Sequence, residues 1–238
     1  MKHKIHLMIY LLLIWQLLAV AIHNDIIIPY PLVTLKRMFE MLLMPDFYQT
    51  LLMTLSHVII VVLVSVIMAF GLAYVAYRFS IIEIYVSPVL SILQAVPNIS
   101  FIILVLLWAS SLQTVYVVLF LVVFPLLYNH FISGFENIGS DLEDVILLYH
   151  PPFFDKVIHV YLPLIMPNFL SGIKSSLSLG VKVAVMAEIL AGLPYGVGRA
   201  INFARIQFDM IGVFSWTIWL VIMILFIDYL LDKLIRSE

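Results

Sequence analysis

The chain has 238 residues, of which 64% are hydrophobic and 11% are charged. Soluble domains are nearer half apolar and a quarter charged, and they avoid large exposed apolar patches, so this composition predicts an integral membrane protein. The net charge of −2 favours no nucleic-acid partner, and the lack of cysteine excludes disulfides and thiolate metal sites. Since a membrane-spanning helix needs about 20 apolar residues, the length allows roughly five to seven spans.

Six apolar runs predict six transmembrane helices in one all-α membrane domain that covers residues 1–238. The runs lie at residues 5–22, 50–77, 88–108, 114–134, 168–191 and 210–231. The first run follows Lys2 and Lys4 and ends with Ala-Val-Ala at residues 19–21, a pattern also typical of a cleaved signal peptide. We interpret it as the first span, because the chain goes on to cross the membrane repeatedly. Cleavage of residues 1–21 stays the alternative and would leave five spans.

The segment between the first two runs, residues 23–49, contains Pro29, Pro31 and Pro45. Proline interrupts helices because it lacks a backbone N–H and clashes with the preceding turn. We therefore expect a loop with one short amphipathic helix.

Lysine and arginine set the orientation, because they are enriched in cytoplasmic loops. With the N-terminus in the cytoplasm, the inner side holds Lys2, Lys4, Arg78, Lys156, Lys174, Lys233 and Arg236, and the outer side holds Lys36, Arg37, Arg199 and Arg205. The inner side has the excess, so the sequence predicts that both termini are cytoplasmic. The two long loops are then residues 135–167 inside and residues 192–209 outside.

The inner loop carries the pattern of two short amphipathic helices. Residues 140–143 read Ser-Asp-Leu-Glu, a capping box that starts a helix. Apolar residues then recur at the helical spacing i, i+3, i+4, i+7 from Leu142 to Tyr149. The helix must end before Pro151, since proline disfavours the α conformation of its predecessor. We expect a second helix over residues 153–161.

Two further prolines are predicted to bound this second helix. We expect it to end at Leu162-Pro163, and Pro167 is placed to start the fifth span. Two readings of the loop remain: a connector that buries its apolar stripe among the headgroups, or a helix that enters a groove of a cytoplasmic partner.

This loop resembles the EAA loop of permease subunits in binding-protein-dependent ABC importers. In that family a Glu-Ala-Ala triplet is followed by a glycine and, further along, by Leu-Pro. Aligned on Leu162-Pro163, the triplet falls on residues 144–146 and the glycine on His150. The acid, Asp144, the spacing and the Leu-Pro match, whereas the alanines and the glycine do not.

Other segments resemble the same family in the same order. They are Ile14-Trp15-Gln16 with Ile28-Pro29-Tyr30-Pro31, Pro88 with Gln94-Ala95-Val96-Pro97, Pro125 with Asn129 and Gly134, residues 186–190 and residues 192–198. The last two segments, with the order of the spans, resemble most the branch that carries nitrate, sulfonates, taurine and some vitamin precursors.

The resemblance implies a permease that forms the pathway for a small solute in a prokaryotic plasma membrane. It implies no catalytic residue, no cofactor and no metal site in this chain, with ATP hydrolysis in a partner subunit. The implied partners are two copies of an ABC ATPase, a second permease copy, so that a homodimer is expected, an extracytoplasmic solute-binding protein and membrane lipid. The residues expected to couple to the ATPase are Asp141, Asp144, Leu148, Tyr149, His150, Leu162 and Pro163.

Polar residues within the spans are candidates for the translocation pathway. Lys182 lies near the middle of the fifth span, where a charge costs about 2.5–3.5 kcal/mol, so it either faces a pathway or is paired structurally. Glu188 lies six residues further along and about 120° around the helix, so the two do not pair. We predict that the third and fifth spans line a pathway at a dimer axis, with Pro97, Lys182 and Glu188 as candidates. His57 is predicted to be a hydrogen-bonded packing residue.

Two other classes of membrane protein fit the sequence less well. A stand-alone secondary transporter would show internal repeats and mid-membrane carboxylates, and the sequence has no detectable repeat. A membrane enzyme would need clustered histidines or acids at one membrane face, and the seven histidines are scattered. The secondary transporter is the main alternative to the importer permease.

Overall fold

The computed structural model describes residues 2–138 and 152–236, and every regular element within these residues is a helix. The predicted all-α class is confirmed. The helices are α1 (Lys2–Ile22), α2 (Pro31–Met41), α3 (Pro45–Arg78), α4 (Ser80–Ala95), α5 (Asn98–Leu106), α6 (Ser111–Glu136), α7 (Phe153–Lys156), α8 (Leu162–Ala191), α9 (Val197–Ile206) and α10 (Met210–Arg236).

Three of these helices, α3, α6 and α10, are each long and apolar enough to cross a membrane. The pair α4 and α5 passes the same test when it is counted as one bent span, and the apolar part of α1 is the shorter Ile9–Ile22. The chain is therefore a multi-pass membrane protein. The number of six spans stays a prediction, in which α1 and α8 supply the first and the fifth.

The core of the bundle lies between α3, α6 and α8. These helices contribute fully buried apolar side chains that touch one another, among them Val58, Val118, Leu119, Phe131 and Ala184. By contrast, α1 is exposed along most of its length and is tied to the bundle near one end. There the Trp15 indole N–H donates to the Pro29 carbonyl oxygen at 3.0 Å, and its ring stacks on Phe214 at 5.7 Å.

Local signals explain where several helices begin. Pro31 and Pro45 each occupy the first position of a helix, where the missing N–H costs nothing. Both prolines therefore start helices instead of lying in a loop. As a result α3 begins at Pro45, five residues before the predicted start of the second span at residue 50. At α6, Ser110 and Gln113 form a reciprocal capping box. The predicted amphipathic helix before the second span is confirmed as α2, which buries Thr34 and Met38 on one face.

The run predicted as one span over residues 88–108 is two helices that meet at an angle of 91°. The helix α4 ends at Ala95, Val96 and Pro97 are extended, and α5 begins at Asn98. Proline favours the break because it disfavours the α conformation of the residue before it, and Val96 is extended. If this run is the third span, the span is therefore bent at Val96-Pro97, whereas Pro88 is accommodated inside α4.

The second helix predicted in the inner loop forms, but it does not stop at Leu162-Pro163. A π-helical turn, Val157–Tyr161, joins α7 directly to α8, and Pro167 lies inside α8. In this turn the Leu162 N–H bonds to the carbonyl oxygen of Val157, five residues back. The wider turn places the N–H-free Pro163 at the start of the next helix, where it breaks no hydrogen bond.

The first half of the predicted coupling loop lies outside the described residues. This part contains the capping box at residues 140–143, the corner at Pro151, and Asp141, Asp144, Leu148, Tyr149 and His150. Their assignment stays a prediction.

Candidate functional site: a polar cavity and a buried carboxylate

A cavity of about 390 Å³ lies where the α4–α5 break faces α6 and α8. Three amide side chains line it, Gln94, Asn98 and Asn129, and the Asn129 Nδ2 donates to the Gln94 Oε1 at 3.3 Å. The remaining lining residues are Leu93, Val122, Leu126 and Leu179. Amide groups offer donors and acceptors without a fixed charge, so this cavity can hydrogen-bond a polar solute.

The break gives this cavity a helix N-terminus. Asn98 is the first residue of α5, and Pro97 beside it is exposed. The first N–H groups of a helix have no partner within the helix, and the helix dipole makes that end positive. Broken helices in transporters present such ends to anionic groups of the substrate.

Lys182 lies on the exposed face of α8. It follows Leu179, a lining residue of the cavity, by three positions, which places it about 60° around the helix and one turn further along. Among the residues that the structure describes, none forms an ion pair with it. Lys182 does not itself line the cavity, so its place beside a pathway stays a prediction.

Glu188, by contrast, is 0% exposed and does not line the cavity. Its Oε2 accepts hydrogen bonds from the Thr54 hydroxyl at 2.9 Å and from the Gly198 N–H at 2.8 Å. Its Oε1 lies 3.0 Å from the His57 Nδ1. In this geometry both carboxylate oxygens lie at hydrogen-bond distance from protein groups, and the side chain is enclosed by the chain itself.

Thr54 extends this network into α9. Its hydroxyl oxygen accepts the Val197 N–H at 2.8 Å while its hydrogen goes to Glu188. The first two N–H groups of α9 are thus satisfied by side chains from α3 and α8. A carboxylate at a helix N-terminus is also favoured by the helix dipole.

Two glycines make room for the carboxylate. A Cβ at Gly196, whose φ is +92°, would lie 2.6 Å from the Glu188 Oε2. A Cβ at Gly198 would lie 2.4 Å from the Glu188 Cβ and 2.7 Å from the Val185 carbonyl oxygen. Real Cβ atoms do not approach other atoms so closely, so both positions require glycine.

His57 has the structural role that its sequence context predicts. It is 3% exposed, bonded to Glu188, and flanked by Tyr116 and Tyr195 at ring distances of 5.6 and 5.9 Å. Within the described part of the chain, no third histidine or acidic residue joins this pair to make a metal-binding group.

A second cavity, of about 260 Å³, lies between α2, α3, α9 and α10. Four charged side chains line it, Arg37, Asp46, Arg199 and Asp209. The helix α9 forms one wall, and the Asp209 Oδ1 caps α10 by accepting the Gly212 N–H at 2.8 Å. In the predicted orientation this charged cavity opens on the extracytoplasmic side.

At the opposite end of the bundle, Tyr161 anchors the described part of the predicted coupling loop. It is 2% exposed and packs against Tyr74, Tyr77 and Phe135 at ring distances of 5.6, 6.2 and 5.9 Å. The residues next to it are Leu162 and Pro163. The π-helical turn that leads into α8 is therefore held firmly on the ends of α3 and α6.

The sequence indicated Pro97, Lys182 and Glu188 as pathway candidates. It did not indicate the three amide residues that line the polar cavity, which are Gln94, Asn98 and Asn129. In the structure Pro97 adjoins the lining residue Asn98, Lys182 lies about one helical turn beyond the lining residue Leu179, and Glu188 is buried and does not line this cavity. The signal for Gln94 and Asn129 was present, since both are polar residues within apolar runs. The partner of Glu188, Thr54, is 134 residues away in sequence, and no spacing rule could have paired them.

The sequence matches the family described as the inner membrane component of binding-protein-dependent transport systems over residues 61–237. It is similar to the putative aliphatic sulfonates transport permease protein SsuC of Bacillus subtilis, at 24% identity over 195 residues that cover 81% of this chain and 70% of that protein. It is also similar to the formylaminopyrimidine transport permease protein ThiX of Halalkalibacterium halodurans, at 26% identity over 207 residues that cover 86% and 82%.

Among solved structures, the fold resembles that of the methionine ABC transporter MetNI in an inward-facing conformation. The TM-score is 0.65 at 16% sequence identity, and the match covers 82% of this chain and 98% of that chain. At this identity the likeness concerns the fold alone.

Proposed function

The chain belongs to the family of inner membrane components of binding-protein-dependent transport systems, and we propose that it works as the permease subunit of an ABC importer with three kinds of partner. These are a second copy of the permease, a pair of cytoplasmic ABC ATPases and an extracytoplasmic solute-binding protein. The family match over residues 61–237 carries this proposal. The whole chain, residues 1–238, would act as one transmembrane domain in a prokaryotic plasma membrane, with both termini in the cytoplasm.

The substrate pathway would run past the α4–α5 break. The amides of Gln94, Asn98 and Asn129 and the N-terminus of α5 offer hydrogen bonds there, and Pro97 keeps the break open. Lys182 is exposed on α8 beside this region, and a second permease copy facing α8 would enclose its charge. Intramembrane cations usually face a bundle interior or a wet cavity, so this arrangement supports a pathway between two copies.

A small anionic or strongly polar solute fits this lining best. A positive helix end and a lysine favour an anion, whereas the three amides also accept neutral solutes with several hydrogen-bonding groups. The named relatives agree with this range, since one is named for aliphatic sulfonates and another for a formylaminopyrimidine. We propose a sulfonate-, nitrate- or taurine-like anion, or a vitamin precursor, as the transported solute.

The loop over residues 135–167 would be the contact to the ATPase. Its described end is rigid, because Tyr161 is buried among aromatic rings of α3 and α6. A displacement of the loop by the ATPase would therefore also displace the ends of α3 and α6. Leu162 and Pro163 lie at this base, and Asp141, Asp144, Leu148, Tyr149 and His150 would form the docking part.

Co-expression with the neighbouring genes tests this function. The chain, an ATP-binding cassette protein and an exported binding protein are purified together, and solutes are screened by thermal shift of the binding protein. We expect a stable complex whose ATPase activity rises when the loaded binding protein is added. A chain that purifies alone and transports a solute in response to an ion gradient would instead be a secondary transporter.

A further inference from the structure

Glu188 lies where α3, α8 and α9 meet, and its side chain contacts residues of the other two helices. The residue belongs to α8, its donors Thr54 and His57 belong to α3, and its donor Gly198 belongs to α9. All these contacts are buried. We propose that Glu188 is a positioning residue that fixes α9 to α8, so that a displacement of α9 reaches the pathway face of α8. This inference rests on the proposed importer function.

The two cavities lie at the two ends of this connection. The helix α9 forms a wall of the charged cavity with Arg199 and Phe203, and α8 contributes Leu179 to the polar cavity. Nine residues separate Leu179 from Glu188 along one continuous helix. A partner that pushes on the wall at Arg199 would then act on α8 through the junction at Glu188.

The end of α8 makes this junction stiff. The chain reverses at Gly192, whose φ is +65°, and the Leu193 N–H returns to the Glu188 carbonyl oxygen at 3.0 Å. The side chain and the main chain of Glu188 are thus both engaged with the segment that leads into α9. Nearby, the Ser111 hydroxyl donates to the Ala191 carbonyl oxygen at 2.6 Å and ties the same helix end to α6.

The geometry also identifies what the carboxylate must supply, which is acceptor oxygen rather than charge. A glutamine could place its carbonyl oxygen at the Oε2 position and accept from both Thr54 and Gly198. Its amide N–H would then face the His57 Nδ1, which can act as an acceptor when the ring proton is on Nε2. A leucine of similar size would leave three buried donors without a partner, which is destabilising.

Four variants and one control, each made in the full complex, distinguish a need for the acceptor oxygen from a need for the charge and from a general effect on folding. Glu188→Gln keeps the acceptor and removes the charge, and Glu188→Leu removes both. Thr54→Val deletes the bridging hydroxyl at constant shape, whereas Thr54→Ser retains it. Thr217→Val is the matched control, because the Thr217 hydroxyl is exposed and bonds to a carbonyl of its own helix. For each, basal ATPase activity, ATPase activity with the loaded binding protein, and uptake are measured.

We expect Glu188→Leu and Thr54→Val to assemble and to keep basal ATPase activity, while stimulation by the binding protein falls at least about tenfold. Thr54→Val removes two hydrogen bonds and Glu188→Leu removes three, and the loss of one such bond already corresponds to a change of up to about tenfold. Glu188→Gln, Thr54→Ser and Thr217→Val should retain stimulation and uptake. Hydrogen exchange should rise in residues 197–206 of the two impaired variants and stay unchanged in α6.

The opposite results overturn the inference. Normal stimulation in Thr54→Val, or loss of uptake in Glu188→Gln with normal hydrogen exchange, would mean that α9 is not positioned by this acceptor. Increased exchange in α6 as well as α9 would assign Glu188 to general stability and would likewise reject the positioning role. A wild-type complex without ATP-driven uptake would refute the importer function itself, which is a separate outcome.

Discussion

Replacing Gly198 with alanine tests the close approach of α9 to Glu188 most sharply. The added Cβ would lie 2.4 Å from the Glu188 Cβ and 2.7 Å from the Val185 carbonyl oxygen. Neither atom is at the end of a flexible side chain, so α9 must move away from α8. That movement stretches the hydrogen bond from the Gly198 N–H to Glu188, which is 2.8 Å long in the native structure.

The size of the effect follows from comparison with a glycine that has free space. Overpacking a close contact costs about 1–3 kcal/mol, and the rigidity of both contacts places Gly198→Ala at the upper end. A Cβ added at Gly71, within α3, would have no neighbouring atom within 4 Å, so Gly71→Ala meets no obstacle. Alanine is favoured over glycine in a helix by about 1 kcal/mol. Since Gly71 and Gly198 both lie in helices, this gain cancels when the two variants are compared. We expect the free energies of unfolding of the two variants to differ by about 3 kcal/mol.

The assay is SDS-induced unfolding of the purified chain in mixed micelles, followed by far-ultraviolet circular dichroism. Gly71→Ala should be as stable as the wild type or slightly more stable, and Gly198→Ala should be clearly less stable. If the two variants unfold within about 0.5 kcal/mol of each other, the range expected for surface substitutions, the contact between α9 and Glu188 does not exist in the folded protein.

Three further predictions concern topology, coupling and the pathway. A cysteine at Asp155 should react with an impermeant thiol reagent only from the cytoplasmic side and one at Arg199 only from outside, and reversed labelling would contradict the orientation. Replacing Leu148 and Tyr149 with aspartate should abolish co-purification of the ATPase while the chain still inserts, and a normally active complex would place the docking site elsewhere. Lys182→Met removes a charge whose burial costs about 3 kcal/mol, so it should preserve assembly and ATPase activity but impair uptake or change its substrate preference. Wild-type uptake kinetics in Lys182→Met would exclude the pathway role.

The sequence was sufficient for the features that depend on composition and on local signals. The apolar runs predicted the all-helical membrane class, and the mixed composition of residues 23–49 predicted one short amphipathic helix, which is α2. The sequence also predicted that Lys182 and Glu188 lie on different faces of one helix, and in the structure one is exposed and the other fully buried. These features follow from helical periodicity, which acts over a few residues.

Features that depend on packing were missed. The sequence could mark Val96-Pro97 as unfavourable for a helix, but the angle of 91° is set by what α4 and α5 pack against. Pro163 and Pro167 were expected to separate two helices, but the π-helical turn at residues 157–161 leads directly into α8, with Pro163 in its first turn and Pro167 in its interior. Glu188 near the end of a span was a pathway candidate, and the sequence could not reveal Thr54 and His57 as its hydrogen-bond partners.

Transport assays in proteoliposomes test whether this chain forms the membrane pathway of an ATP-driven importer. The vesicles contain the chain and the ABC ATPase encoded beside it, with the binding protein added outside and a radiolabelled solute identified from the binding-protein screen. We predict uptake that requires the permease, the ATPase, internal ATP and the loaded binding protein together. Uptake by the chain alone, driven by an ion gradient and indifferent to ATP, would contradict the claim.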